Sequence, residues 1–384
     1  MSAQLSVEIA RSLEEVEALA PLWSATPWER EEAELPYYLA RVAVEPNVLA
    51  PLAIFVRRGE QPVAAIAARL ESHLLHTFFG PRLVYAPRLR ILQVLDGGIV
   101  APELEAIPML VEALRAVLAS GVADAAKIPP LPLDSALFHA LASAGGPLGR
   151  QHLLASWQRR RLVLPGSFDE YLASRSGKVR FGIGYDARKL LEAHGDELRV
   201  ELLAAPADHV RLMADLERVA RLTRLRELGV GFADSAPQRE LVRVGLENGW
   251  VRAYVLYRNE TPIAFWLCSC HRGTILLKTT GFDPAYGRLR VGIYLLMRLI
   301  EQACADPSLE LLDFGPGDAD YKRYFSSESR EEQNLVLFAP TLRARSVNAL
   351  RTAILGASTV ARRLSDRAGL SERLRARRRA RGPR

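Results

Sequence analysis

Two stretches of this chain carry the same pattern of apolar and polar positions. Ala53-Ile-Phe-Val-Arg-Arg-Gly-Glu-Gln-Pro-Val-Ala-Ala-Ile-Ala lies without a gap on Ala253-Tyr-Val-Leu-Tyr-Arg-Asn-Glu-Thr-Pro-Ile-Ala-Phe-Trp-Leu, 200 residues further on. In each, an apolar run reads as a strand and Gly59-Glu60 or Asn259-Glu260 supplies the turn. Pro62 or Pro262 then opens a second strand, where a missing N–H is tolerated. The segments beyond each hairpin keep the same order. After the first hairpin come an apolar segment, a loop, a helix-period stretch from Ile107 to Ala119 and a short strand ending Ile128-Pro129-Pro130. After the second come a strand over Thr274–Thr280, a loop and a helix from Gly292 to Ala305, apolar at Ile293, Leu296, Leu299, Ile300 and Ala303. A strand Leu309–Phe314 then ends at Gly315-Pro316. The pattern predicts two α+β modules of similar topology, over 1–150 and 151–340, followed by a tail over 341–384.

Charge changes the picture of that tail. The 384 residues carry a net charge of +7. Thr341 to Arg384 holds 13 Arg against Asp366 and Glu372, a local charge of +11, so the body is mildly acidic at −4. A basic tail on an acidic body argues against a broad nucleic-acid surface. Val347, Leu350, Ile354, Leu355, Val360 and Leu364 recur at helical spacing with arginines between them, which predicts an amphipathic helix suited to anionic lipid. The last residues, from Arg373, read as disordered, and removal of 341–384 is expected to leave the fold intact. No run of 18 uncharged apolar residues and no leader-like N-terminus is visible, and three cysteines make no disulfide framework. A cytoplasmic protein, peripheral at the inner face of the membrane through its tail, is the expectation.

Several motif matches are discounted. Cys268-Ser-Cys270-His271 has metal-like spacing but lies in an apolar strand, with no second Cys/His pair to complete four ligands, so no metal site is expected. Gly182-Ile-Gly184-Tyr-Asp-Ala187 fits a dinucleotide fingerprint but follows a polar, basic segment rather than a buried strand. Nucleophile-elbow, Walker A and zinc-protease motifs are absent from the sequence.

Three segments carry chemistry. In Gly281-Phe-Asp-Pro-Ala-Tyr-Gly287-Arg288-Leu-Arg290-Val291-Gly292, a loop rich in Gly and Arg runs straight into a helix. Free N–H groups and the positive dipole end there suit a phosphate, and Arg288 and Arg290 add charge-assisted bonds. In Asp313-Phe-Gly-Pro-Gly-Asp318-Ala-Asp320-Tyr321-Lys322-Arg-Tyr-Phe325, a buried strand opens into three acids, two tyrosines and one of the chain's five lysines. A compact ammonium can neutralise a developing oxyanion. A third stretch, Arg175 to Lys189, is basic and follows a capping box at Ser167-Phe-Asp-Glu170.

Taken together, Gly281-Phe-Asp-Pro-Ala-Tyr, the Arg/Gly loop and Asp313-Phe-Gly-x-Gly-Asp-x-x-Tyr-Lys-x-x-Phe resemble the GNAT-fold acyltransferases of the CelD-like group, relatives of the FemAB aminoacyltransferases. Phe168-Asp-Glu-Tyr-Leu, Leu228-Gly-Val-Gly-Phe and the hairpin ending Pro262-Ile-Ala-Phe are similar too, so the likeness runs from about 165 to 338. The resemblance implies tandem GNAT modules, each a mixed central sheet flanked by helices, the first degenerate. It also implies acetyl-CoA or another acyl-CoA as donor, and a sugar-containing acceptor of cell-envelope or exopolysaccharide synthesis. One departure stands out: Arg290-Val291-Gly292 replaces the group's Ser-Pro-Gly at the helix entry.

On this basis Arg288, Arg290, Val291 and Gly292 are expected to hold the donor's pyrophosphate. A backbone N–H on Thr274–Thr280 would polarise the thioester. Lys322 would stabilise charge or position the acceptor, Asp318 or Asp320 would act as base, and Tyr321 would protonate the leaving thiolate. Two other readings stay open: a FemAB-like transferase using aminoacyl-tRNA, and a non-catalytic accessory of a polysaccharide synthase.

Overall fold

The computed structural model describes residues 4–367 apart from 224, 225, 227, 228 and 230. The motif residues Leu228 and Val230, and the basic end from residue 368, therefore lie outside the described residues. The strands in chain order are β1 (Leu5–Ala10), β2 (Val48–Arg58), β3 (Gln61–Leu74), β4 (Thr77–Phe79), β5 (Arg82–Tyr85), β6 (Arg88–Val100) and β7 (Ala125–Pro132). They continue with β8 (Ser156–Val163), β9 (Leu198–Leu203), β10 (Val251–Arg258), β11 (Thr261–His271), β12 (Thr274–Phe282), β13 (Leu311–Asp313) and β14 (Glu328–Phe338). Twelve of them form one mixed sheet in the order β1-β2-β3-β6-β7-β14-β8-β13-β12-β11-β10-β9, while β4 and β5 make a separate hairpin.

The sequence repeat is a repeat of register. Val56 pairs with Ala64 before a bulge brings Arg57 opposite Pro62. Leu256 pairs with Ala264 before the same bulge brings Tyr257 opposite Pro262. Gly59 and Asn259, the equivalent turn residues, both take left-handed backbone, with φ of 63° and 52°. β6 runs parallel to β7 through Ile91–Ala125, Leu92–Ala126 and Gln93–Lys127. β12 runs parallel to β13 through Thr274–Leu311, Ile275–Leu312 and Leu276–Asp313. Both ladders stop there, three pairs long. At the centre the two repeats exchange their last strands: β14, which follows β13 in the second, pairs with β7 of the first, and β8, which follows β7 and so completes the first repeat although it lies past residue 150, pairs with β13 of the second. β8 and β14 then pair with each other, closing the sheet.

Strands covered on both faces need nearly continuous apolar runs, and β2, β3, β10 and β11 have them. In the first half, the helix Ile107–Ala119 packs on one face and a cluster around Trp23, Trp28 and Tyr38 on the other. In the second, the helix Val291–Ala305 covers one face, and His209–Ala220 with Ala236–Glu247 the other. The two discounted motifs resolve simply. Cys268 and Cys270 are buried thiols in the core, and Gly182 to Ala187 lies inside the helix Gly177–His194. The basic C-terminal stretch does form a helix, Leu342–Arg367, but its first turns belong to the core. Ala344 and Val347 are buried in it, and Asn348 Nδ2 donates to the carbonyls of Leu148 and Arg150. Removing 341–384 would therefore strip part of the first core, contrary to the expectation of a dispensable tail.

Candidate functional site

The β12–β13 ladder ends at Leu276 and Asp313, where β13 itself stops while β12 runs on to Phe282, so the β12 backbone beyond Leu276 has no partner strand on that side among the described residues. Two local features shape this end of the ladder. Thr279 pairs with Leu267 and Leu277 with Cys268, leaving Lys278 as an extra residue, a β-bulge. On the other strand the chain turns at Gly315, φ 71°, where a Cβ would stand 3.3 Å from the Leu277 carbonyl oxygen. Only glycine serves both needs. A pocket of about 270 Å³ opens at the far end of β12, lined by Trp266, Thr280, Phe282, Gly287, Arg290, Val291, Gly292, Ile293 and Tyr321.

The helix Val291–Ala305 begins at this pocket. Arg290 precedes it in left-handed backbone, φ 54°, and no side chain caps the N-terminus. The carbonyl of Arg290 accepts from Ile293 and Tyr294, while the N–H groups of Val291 and Gly292, the first two of the helix, find no backbone acceptor among the described residues. The Arg290 guanidinium, half-exposed, pairs with Asp186 Oδ2 at 2.8 Å. Arg288 is exposed and makes no ion pair among the described residues. The Tyr321 ring lies 6.1 Å from Trp266 and 6.4 Å from Phe314 between centroids, and burial pushes its hydroxyl up to about 12. The structure thus gathers Arg290, Val291, Gly292 and Tyr321 around one pocket, and leaves Arg288, Asp318 and Lys322 outside its lining.

Lys322 is 7% exposed. Its Nζ donates to the carbonyls of Gly315, at 3.2 Å, and Pro316, at 2.7 Å, so it pins the turn after β13. Burial lowers its pKa. Asp318 accepts from Arg323 Nε at 2.9 Å and Arg160 Nε at 2.6 Å. Those two guanidiniums hold its carboxyl far below the usual range, which makes it a weak proton acceptor. Asp313, fully buried, accepts from Arg30 and Arg159, each at 2.7 Å, and from the Gly315 N–H at 2.8 Å.

Residues 177–323 match the family model for an acetyltransferase (GNAT) domain. That span holds β12, the loop, the helix behind the pocket, and β13 through Arg323. No curated protein matches the sequence. The structure is similar to the crystal structure of FemX, with a TM-score of 0.59 at 10% identity, covering 89% of this chain and 100% of that one. A conserved protein of unknown function from Bacteroides thetaiotaomicron gives 0.49 at 10% identity, over 86% of this chain and 100% of that one. A tandem GNAT protein from the clavulanic acid biosynthesis pathway gives 0.48 at 11% identity, over 88% and 99%. At such identities the FemX likeness is one of fold. The chain has a mixed α/β GNAT-like fold, a large mixed sheet flanked by helices.

A second cavity of about 720 Å³ crosses the middle of the GNAT-like sheet, over β3, β6, β7, β14 and β8. It reaches the Pro316–Gly317 turn that Lys322 pins. The sequence singled out its Ile128-Pro129-Pro130 and Pro316-Gly317 edges but not its charged lining, Glu32, Arg69, Asp96 and Arg159. Asp96 sits there in an irregular segment of β6, between Val94 opposite Ala68 and Ile99 opposite Ile66. Gly97, φ 65°, lets Arg30 lie against this segment, since a Cβ would meet the Arg30 backbone N at 2.6 Å. Burial, reinforced by Glu32, pushes the Asp96 carboxyl up against the pull of Arg159 and Arg30. Lys278 Nζ reaches across from the β12 bulge to Glu31 Oε1 at 2.9 Å and Glu32 Oε1 at 2.6 Å. Three buried donors of the lining, Trp157 Nε1, Arg159 Nη2 and Arg69 Nη1, have no acceptor among the described residues. The signal available was the sequence Asp96-Gly97-Gly98, a strand acid before a glycine pair, and the rarity of lysine, which singles out Lys278 as much as Lys322.

Proposed function

We propose that the protein is an acyltransferase that takes an acyl group from acyl-CoA, acetyl-CoA in the simplest case, and passes it to an amine or hydroxyl of a polar, sugar-containing acceptor. The observation that carries the reading is the stretch of β12 that runs on beyond the end of its ladder with β13, beside a helix N-terminus free of side-chain caps, within the span that matches a GNAT domain. The chain fits the donor's chemistry. The N–H groups at Val291 and Gly292 and the guanidiniums of Arg290 and Arg288 suit a pyrophosphate. The apolar walls Trp266, Phe282 and Ile293 suit a pantetheine arm. Backbone N–H groups of β12 past Leu276 would polarise the thioester carbonyl and stabilise its oxyanion.

The acceptor belongs in the central cavity, where the unpartnered donors of Trp157, Arg159 and Arg69 suit sugar hydroxyl, carboxylate or phosphate oxygens. Its nucleophilic atom attacks the thioester carbon, and the C–S bond breaks. The nucleophile's proton passes to Asp96, a better acceptor than the doubly paired Asp318, and Tyr321 donates a proton to the departing thiolate. Lys322 acts by holding the turn between the two pockets. Assignment of the acceptor to exopolysaccharide or cell-envelope synthesis rests on the CelD-like resemblance.

Titration calorimetry with acetyl-CoA and longer acyl-CoAs tests the donor. Micromolar to sub-millimolar binding is expected, weakened about tenfold in Arg290→Ala, the share of one charge-assisted contact. No heat at millimolar ligand would overturn it, in favour of the FemAB-like reading with aminoacyl-tRNA or of a non-catalytic accessory.

A further inference from the structure

The hairpin β4–β5 is built unlike the rest of the molecule. It stands outside the main sheet. Phe78, Phe79, Leu83 and Val84 are 47, 43, 50 and 52% exposed, four large apolar side chains on nine residues. An isolated two-stranded hairpin is marginal in water, and this one is held from behind by the helix Leu342–Arg367. Arg351 Nη1 donates to the carbonyls of Leu75 and His76 and to Thr77 Oγ1, at 2.6 to 3.1 Å. The N–H of Gly80 at the hairpin tip donates to Ser358 Oγ at 3.0 Å. The same helix exposes Leu350, Ala353, Ala357, Val360 and Leu364, a stripe at alternating spacings of three and four that no described residue covers.

The charge around these side chains is predominantly basic. From Ser72 to Leu95 there are three arginines and no acid, and the helix Leu342–Arg367 holds six arginines and one acid, Asp366. Arg82, Arg88, Arg343, Arg345, Arg362 and Arg363 are exposed. Asp124, which bonds the Arg90 N–H and lies 3.9 Å from Arg90 and Arg343, is a buried acid at the root of this region. We propose that the β4–β5 hairpin and the helix Leu342–Arg367 dock the protein on an anionic lipid bilayer. Exposed aromatic and aliphatic side chains among arginines match an acyl boundary under acidic headgroups. A second copy of this surface would bring arginines against arginines, and no described helix is long and apolar enough to cross the bilayer. Contact is therefore peripheral, with the hairpin tip as the inserted element. The surface is independent of the donor and acceptor pockets, so it stands or falls apart from the acyl-transfer reading.

Co-sedimentation of the full chain with vesicles of phosphatidylcholine, alone or with one third phosphatidylglycerol, tests it. The wild-type chain is expected to bind the anionic vesicles at least about tenfold better than the neutral ones. Phe78→Ser with Phe79→Ser should weaken that binding at least about tenfold at unchanged melting temperature, and Arg82→Glu with Arg362→Glu should do likewise. Vesicle binding equal to wild type in the Phe78→Ser/Phe79→Ser chain would overturn the proposal, since the basic end alone would then account for attachment. No binding by the wild type, or a dimer that the same substitutions dissociate, would also overturn it.

Discussion

Asp96 and Asp318 are both aspartates near the Pro316–Gly317 turn, and their surroundings push them in opposite directions. Asp318 is tied to Arg323 and Arg160 and stays ionised. Asp96 lies in a cavity wall where burial and Glu32 favour its neutral form. A base must be ionised to act, so kcat/KM should rise with pH through an inflection above the ordinary aspartate value of 3.8. Asp96→Asn should lower kcat/KM about a hundredfold and remove that limb, measured by thiol release from acetyl-CoA with an amino-sugar acceptor. Turnover unchanged in Asp96→Asn would end the role. Asp318 is conspicuous in the sequence because it sits in a dense polar cluster, whereas the raised pKa of Asp96 arises from burial and from Glu32, 64 residues back, against the opposing pull of Arg159, 63 residues ahead, and none of these is visible in the local sequence.

At the scale of elements, the turn after β13 works because several backbone groups are satisfied by side chains. Asp313 accepts from the N–H of Gly315, and Lys322 donates to the carbonyls of Gly315 and Pro316. The short helix Asp320–Phe325 exists to bring Lys322 back under the turn, and Phe325, 1% exposed, anchors it. Lys322→Met keeps most of the volume and removes both donations, leaving buried carbonyls unpaired. A loss of about 1.5–3 kcal/mol in denaturant unfolding is expected, together with at least about a tenfold fall in kcat/KM from the loosened turn. Activity kept in full would show that the turn needs no pin. The elements themselves were legible: the helix Ile107–Ala119, the strand at Thr274, the helix after Arg290 and the doubled hairpin are all readable from periodicity and turn residues. The bulge at Lys278 was not, because nothing in Leu277-Lys278-Thr279 marks an extra residue. It shows only when the strand is laid against β11.

Across the whole molecule, the exchange of β8 and β14 makes one sheet of two repeats, and polar side-chain pairs stitch the N-terminal segment to the second half. Arg30 meets Asp313, His271 meets Glu34, and Lys278 meets Glu31 and Glu32. Hydrophobic pattern could reveal the repeat but not this seam, since each pair joins residues more than 200 positions apart. The seam has a pH signature. Burial pushes the Glu32 carboxyl up, but Lys278 and Arg41 outweigh it and bring its pKa from 4.5 down to about 2. Asp313 is likewise lowered, its burial outweighed by Arg159 and Arg30. A depressed carboxyl contributes stability that is fully present above its unfolded pKa and lost as pH falls through the folded one. Unfolding free energy should therefore hold above about pH 4.5 and drop steadily toward pH 2. Asp313→Asn should destabilise by about 3–5 kcal/mol at neutral pH, because it strands Arg30 and Arg159 in the interior. It should also flatten part of that acid slope. Because the strands interlock, the loss should appear as one unfolding transition shared by both halves, followed by far-ultraviolet circular dichroism and by the fluorescence of Trp23, Trp28 and Trp266. Separate transitions for the two halves would show that the exchanged strands do not couple them.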